Sequence, residues 1–254
     1  MTNNTLELFS IPGIPRIVPD DDLGTIIAAC MRNANLELQD GDVVVVAQKL
    51  VSKAEGRQRR LSEVQPGTTA IELAARAEKE PEIVQLILDE STRILRHRPG
   101  VIIAEHKLGM VLANAGIDRS NVDQDRDFVL LFPEAPDASA AKLQTTLNES
   151  YGVRIGVVIA DSVGRAWRMG TTGLAIGSAG VEALTNLRGQ HDLYGRELEV
   201  SEHAVADSIA AAAELLMGEA DEATPVIVVR GTNQGSSTQD STVLLRPSPD
   251  DMFR

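Results

Sequence analysis

The chain reads as an α+β protein of mixed sheets and helices, on three observations. Short β-branched runs, Val43-Val44-Val45-Val46 and Val157-Val158-Ile159, lie among segments whose apolar residues recur at helical spacing. Strands and helices do not alternate strictly, and too few strand-helix-strand units occur for a doubly wound sheet. A length of 254 residues suits one unit or two subdomains, and it buries a core without staples.

A first strand is expected at 6–11, stopped by Pro12-Gly13-Ile14-Pro15, where proline fixes φ and glycine permits a tight bend. Asp20, Asp21 and Asp22 cap a helix over 23–33, with Leu23, Ile26, Ile27 and Cys30 on one face. The turn Asp40-Gly41-Asp42 leads into a strand at 43–47 that should be buried on both faces. From Lys49 to Arg60 a basic loop is expected, because Lys49, Lys53, Arg57, Arg59 and Arg60 meet only Glu55. It is either solvated surface or a local anion site. Thr69 and Glu72 have capping-box spacing, and Pro81 opens a second helix carrying Ile83, Val84, Leu86 and Ile87.

Strands follow at 101–104, 110–113 and 128–132, then a helix at 138–150 capped by Asp137, then a strand at 155–160. Small residues fill 169–180, and the stretch 174–184 suits either core packing or a subunit interface. Asp192-Leu193-Tyr194-Gly195-Arg196 reads as a hairpin or turn, 201–217 as a helix and 225–229 as a strand. The polar stretch 231–242 reads as a mobile loop, after which Leu244 and Leu245 dock back.

A formal charge of -13 disfavours nucleic acid and membrane as broad partners, since both are polyanions. Cys30 is the sole cysteine, so no intrachain disulfide forms, and four scattered histidines offer no zinc spacing. The start of the chain lacks an export pattern, and a reducing cytoplasm fits best. No P-loop, no glycine-rich dinucleotide fingerprint and no serine elbow occurs. Any nucleotide site is therefore built by other means.

Two stretches carry the chemistry: Asn114 to Asn121 around Asp118, and Val157 to Arg168 around Asp161. Each sets an aspartate where an apolar run gives way to small residues, which suits a hard divalent cation and a phosphorylated ligand. Asp118 has a second reading, an Asx-turn near Gly116, and Asn121 shares it. Asp161 is expected just past the carboxyl end of its strand, where ligand sites gather. Ser162 is a turn residue or a neutral oxygen ligand, and Arg165 and Arg168 are surface charges or phosphate clamps. Trp167 is expected in the core.

Nearly the whole chain resembles the coenzyme F420 gamma-glutamyl ligase family. The matching stretches include Gly13-Ile14-Pro15, 40–46, 51–57, 113–122, 161–170, Ala175-Ile176-Gly177, 192–196, Met217-Gly218-Glu219, Leu245-Arg246-Pro247 and 250–254. The resemblance implies an α+β fold of the family's own and an intertwined homodimer. It implies GTP-dependent addition of L-glutamate to coenzyme F420-0 through an acyl phosphate, with two Mg2+ or Mn2+ ions and K+. By the same resemblance Asp118, Asp161 and Ser162 hold the divalent ions, the two aspartates being catalytic. Lys53 and Asn121 contact GTP, and Ile14, Pro15, Arg16 and Ile17 line the nucleotide site. Gln48 stands where family members often carry Ser or Thr, and would reach GTP on a longer arm. Glu219 lies in a stretch used near the nucleotide. The chain stops before the flavin-reductase-like domain of fused bacterial members, so the stand-alone form is expected. Two other readings stand beside this one, a metal-dependent nucleotide phosphohydrolase and a non-catalytic deazaflavin-binding module.

Overall fold

A computed structural model of the protein describes residues 5–120, 122 and 127–252. Strand β1 (Glu7–Ser10) precedes helix α1 (Leu23–Asn33), which Asp22 caps as expected. The Asp22 carboxylate accepts from Thr25 N at 3.3 Å and Thr25 Oγ1 at 2.8 Å, satisfying a donor that the first helical turn leaves open. The valine run forms β2 (Val43–Ala47), and its four valines are fully buried. The basic segment is not a loop. Gln48–Ala54 winds out of β2 as helix α2, and Gln58–Arg60 forms strand β3. Lys49 and Lys53 thereby fall four apart on one helix.

Helices α3 (Thr68–Ala77) and α4 (Pro81–Asp89) follow. The expected capping box is absent, because α3 starts at Thr68 after Gly67, with no side-chain cap. Gly67 N donates instead to Gln85 Oε1 at 2.9 Å. Strand β4 (Ser91–Arg98), which the sequence reading missed, pairs with β5 (Val101–His106), and β5 with β6 (Val111–Ala113). Its period of two is hidden by register shifts at Ser91/Arg93 and Ile94/Arg96. Strand β7 (Phe128–Leu130) is shorter than expected and pairs with β3. Leu73, Val84, Ile87, Ile102 and Val129 join these elements in one apolar cluster.

Helix α5 (Pro136–Tyr151) leads to β8 (Gly156–Gly164) and β9 (Thr171–Ala179), then to the short pair β10 (Leu184–Asn186) and β11 (Glu202–Ala204). Helix α6 (Val205–Met217) and β12 (Val226–Arg230) complete the order. A five-stranded sheet runs β1-β12-β2-β8-β9, with β2 and β8 parallel at its centre and the other neighbours antiparallel. Strand residues alternate between two apolar clusters, as a period of two demands. Val44, Val46, Val157 and Ile159 pack with α1 and α5, while Val43, Val45 and Val158 pack with α6.

Several expectations fail for a common reason, that tertiary partners displace local ones. Asp137 does not cap α5, which begins at Pro136. Its carboxylate accepts from Ser178 N at 2.7 Å, Ser241 N at 2.9 Å and Ser241 Oγ at 3.0 Å. The helix expected from 201 starts at Val205, because Glu202–Ala204 pairs with β10. The stretch 231–242 is tied down, with Gln234 N donating to Gly41 O at 3.1 Å and Gly235 N to Gly180 O at 2.7 Å. Leu245 and Leu244 dock onto separate clusters as expected. Within 174–184, Ala175, Ile176, Val181 and Ala183 are buried inside the same chain, which favours core packing there. Trp167 is 82% exposed rather than core. Among the described residues no helix is long and apolar enough to cross a membrane.

Gly116 shows how packing places Asp118. Its φ of +70° lies in the left-handed region, and an added Cβ would meet the Phe132 ring. Gly116→Ala is expected to cost about 2–3 kcal/mol, lowering the calorimetric Tm by about 4–12 °C.

Candidate active site

Asp161 and Ser162 lie inside β8 rather than beyond it, opposite Leu174 and Gly173 of β9. They face a cavity of about 460 Å3 that is also lined by Gln48, Lys49, Lys53, Gly173, Glu214 and Glu219. Its walls follow from the topology. Ala47 of β2 is in register with Ala160 of β8, so Gln48 and Asp161 emerge side by side where the parallel pair ends. Helix α6 crosses β9 closely, since a Cβ on Gly173 would lie 2.5 Å from Ala210 O.

Asp118 takes the turn reading. Its Oδ1 accepts from Ser120 N at 2.6 Å in an Asx-turn, while Oδ2 meets Lys49 Nζ at 2.8 Å. Lys49 Nζ also donates to Ser120 Oγ at 2.8 Å. Burial pushes the Asp118 carboxyl up, but hydrogen bonds from Lys49 and Ser120 outweigh it and hold the group below the usual range. Asp161 behaves oppositely: burial first and the Asp118 charge second push it up to about 7, although Lys49 opposes. Two neighbouring carboxylates and a hydroxyl, with negative charge short of compensation, fit a hard divalent cation. Among the described residues no three His, Cys, Asp or Glu side chains form a ready-made metal cluster. A cation on Asp118, Asp161 and Ser162 would complete its shell with water or phosphate oxygens.

A second carboxyl pair closes the cavity. Glu219 accepts from Ser162 Oγ at 3.0 Å and Thr171 Oγ1 at 2.7 Å. Glu214 accepts from Gly173 N, and its Oε1 is buried without a donor. Burial and then Glu219 push Glu214 up to about 7. Burial would raise Glu219, but its interactions with Glu214, Thr171 and Ser162 outweigh that and hold it below its usual range.

The model of the F420-0:gamma-glutamyl ligase family matches residues 13–231. The chain belongs to this family. It is 42% identical over 251 residues to the coenzyme F420:L-glutamate ligase of Methanothermobacter thermautotrophicus, covering 98% of this chain and 99% of that protein. The enzyme of the same name from Archaeoglobus fulgidus is 47% identical over 228 residues, 90% of this chain and 88% of its own length. That of Haloarcula marismortui is 40% identical over 251 residues, with 96% and 95% covered.

In this gamma-glutamyl ligase family member the cavity gathers Asp161, Ser162, Gln48 and Lys53, and Lys49 bridges it to Asp118. Ile14, Pro15, Arg16 and Ile17 are not among its lining. Ile17 is buried in the α1 cluster, Ile14 packs against that cluster, and Pro15 and Arg16 are exposed. Asn121 lies outside the described residues. Arg165 exerts its charge on Glu214. The sequence reading left the role of Glu219 open, named Lys49 only within a basic segment that is solvated surface or an anion site, and missed Glu214 as a site residue. For Lys49 the signal was the four-residue spacing to Lys53. For Glu214 it was an acid in the last turn of a largely apolar helix, where the macrodipole disfavours negative charge.

Titration of the cavity has a direct consequence. The ordinary values for Asp161 and Glu214 are 3.8 and 4.5, and both rise to about 7 in the folded chain. The folded state then binds more protons than the unfolded state, so their stabilisation is complete below about pH 4 and is lost as pH rises through 7. Metal-free protein is therefore expected to melt at a lower temperature at pH 8 than at pH 5.5, with Mn2+ at pH 8 recovering the difference. Calorimetry at the two pH values checks this.

Proposed function

We propose that the chain joins L-glutamate to coenzyme F420-0 through an amide bond, with GTP as the energy source, and extends the product with gamma-linked glutamates. Support comes from family membership over nearly the full length of relatives that bear the name coenzyme F420:L-glutamate ligase. The observation that carries the chemistry is the cavity lined by Asp161, Lys49 and Lys53, with Asp118 tied to it through Lys49, and without a P-loop.

A free carboxylate does not acylate an amine at neutral pH. In the proposed route a carboxylate oxygen of the coenzyme attacks the γ-phosphorus of GTP and GDP departs. The nitrogen of glutamate then attacks the acyl carbon, phosphate leaves, and the surplus amine protons pass to solvent. Asp118, Asp161 and Ser162 would hold the Mg2+ or Mn2+ ions, which supply positive charge at the phosphate oxygens. Lys49 and Lys53 add two further point charges on the same wall. Glu214 and Glu219 make the opposite chemistry available, an acidic wall that favours a cationic amine over a further anion. A homodimer in the cytoplasm, with K+ as a monovalent partner, belongs to the same reading.

The test incubates the protein with GTP, Mn2+, L-glutamate and coenzyme F420-0 and follows products by mass spectrometry. GDP and glutamylated coenzyme are expected, each dependent on all substrates. GTP consumption that ignores glutamate and coenzyme would assign a nucleotide phosphohydrolase instead. Coenzyme binding without turnover, unchanged by Asp118→Asn and Asp161→Asn, would assign a binding module.

A further inference from the structure

Gln48 is 1% exposed, an unusual burial for a primary amide that has to satisfy an oxygen and two N–H groups. Its oxygen is fixed: Ser52 Oγ, on a fully buried serine one turn along α2, donates to Gln48 Oε1 at 2.8 Å. That bond sets which way round the amide lies, with Nε2 on the side away from Ser52. Nε2 is buried without a completed hydrogen bond. An N–H left so forfeits its hydrogen bond to water with nothing in return, so the arrangement calls for an acceptor. The sheet register supplies one. Ala47 and Ala160 are paired across the parallel strands, which places the next residues, Gln48 and Asp161, side by side. Of the groups acting on the Asp161 carboxylate, the Gln48 side chain is one that favours its ionised form.

We propose that Gln48 is a positioning residue, whose amide N–H binds one Asp161 oxygen and leaves the other for a divalent cation, with Ser52 holding the amide in that orientation. The relay Ser52–Gln48–Asp161 replaces the direct nucleotide contact that the family resemblance suggests for this position. It rests on the reading of Asp161 as a cation ligand. Partners of this kind, one step behind the ligand, orient it and typically change metal affinity by roughly 10–100-fold when removed.

The test titrates Mn2+ calorimetrically into the protein, with and without GDP, and separately titrates GDP without metal. Gln48→Met, which keeps length and removes the donor, is expected to weaken Mn2+ by roughly 10–100-fold and to leave metal-free GDP affinity unchanged. Ser52→Ala is expected to weaken Mn2+ less, since the amide is then free to flip, and Ser52→Thr to restore it. Unchanged Mn2+ affinity in Gln48→Met, or loss of metal-free GDP affinity instead, overturns the proposal. If Gln48→Met fails to fold by circular dichroism, Ser52→Ala decides, and unchanged Mn2+ affinity there overturns it equally. Wild-type protein that takes up no Mn2+ with or without GDP also overturns it. Weakened Mn2+ binding alongside an absence of glutamylated product leaves this relay standing and removes only the ligase reading.

Discussion

Asp161→Asn is expected to reduce glutamyl transfer by about 10^3-fold or more while the protein folds normally. The substitution keeps the shape and much of the hydrogen bonding of the side chain and removes its charge. Loss of charge stabilisation at a phosphoryl-transfer site costs several kcal/mol, and each 1.36 kcal/mol is about tenfold in rate. Folding responds in the opposite direction. Burial and Asp118 push the Asp161 carboxyl up to about 7, so above that pH the metal-free chain carries an ionised group its surroundings oppose. The neutral amide relieves that opposition, and metal-free Asp161→Asn is expected to melt a few degrees above wild type at pH 8. The gap should close at pH 5, where Asp161 is protonated. Mn2+ should raise the Tm of wild type and not of the variant. Retained turnover with unchanged metal dependence would remove Asp161 from the site.

The second large effect concerns stability. Arg57→Met is expected to lower the Tm by about 6–20 °C, because it breaks a buried ionic knot between two apolar clusters. Arg57 is 8% exposed. It donates to Phe132 O at 2.8 Å, to Glu134 Oε1 at 3.1 Å and to Glu90 Oε2 at 2.6 Å. Glu90 follows α4 of the second cluster, whereas Phe132 belongs to the first. His106, 3% exposed, reaches Glu90 at 3.7 Å and stands against the Phe132 ring at 5.4 Å. The neighbouring His106, with help from the Arg57 charge, holds the Glu90 carboxyl below its usual range against the effect of burial. Removing one partner of a buried pair leaves the other charge uncompensated, at about 3–5 kcal/mol, and each kcal/mol moves Tm by about 2–4 °C in a chain of this size. Adding Glu90→Gln to Arg57→Met should recover part of the loss by calorimetry, since the stranded charge is gone. A shift of Arg57→Met smaller than a degree or two would show that the knot contributes nothing net.

Arg57 also marks where sequence reading stops. Among five basic residues facing one acid it read as part of a solvated or anion-binding loop, yet its partners lie 33 and 77 residues away. Elements governed by neighbours in the chain were legible: α1 behind its Asp22 cap, α4 behind Pro81, and β2 and β8 from their β-branched runs. Strand β4 was not, because its bulges erase the alternation that announces a strand. Asp137 has the chemistry of a helix cap and spends it on Ser178 and Ser241 instead.

The candidate site divides in the same way. Asp118 and Asp161 could be picked out because each interrupts an apolar run, a property of adjacent residues. By itself the sequence determined the α+β class, the main helices and central strands, the absence of the usual nucleotide motifs, and the two aspartates with the family resemblance around them. Only the tertiary structure decided that Asp161 sits within a strand, that Lys49 reaches the Asp118–Ser120 turn 71 residues away, and that Glu219 meets Ser162 across 57. It also decided that Glu214 and Glu219 share one wall of the cavity and that the Gln48 side chain is buried beside Asp161. The physical reason is one of range. Caps, turns and periodicities are set by a few consecutive residues, whereas charge compensation and burial depend on which distant segments the packed core brings within hydrogen-bonding distance.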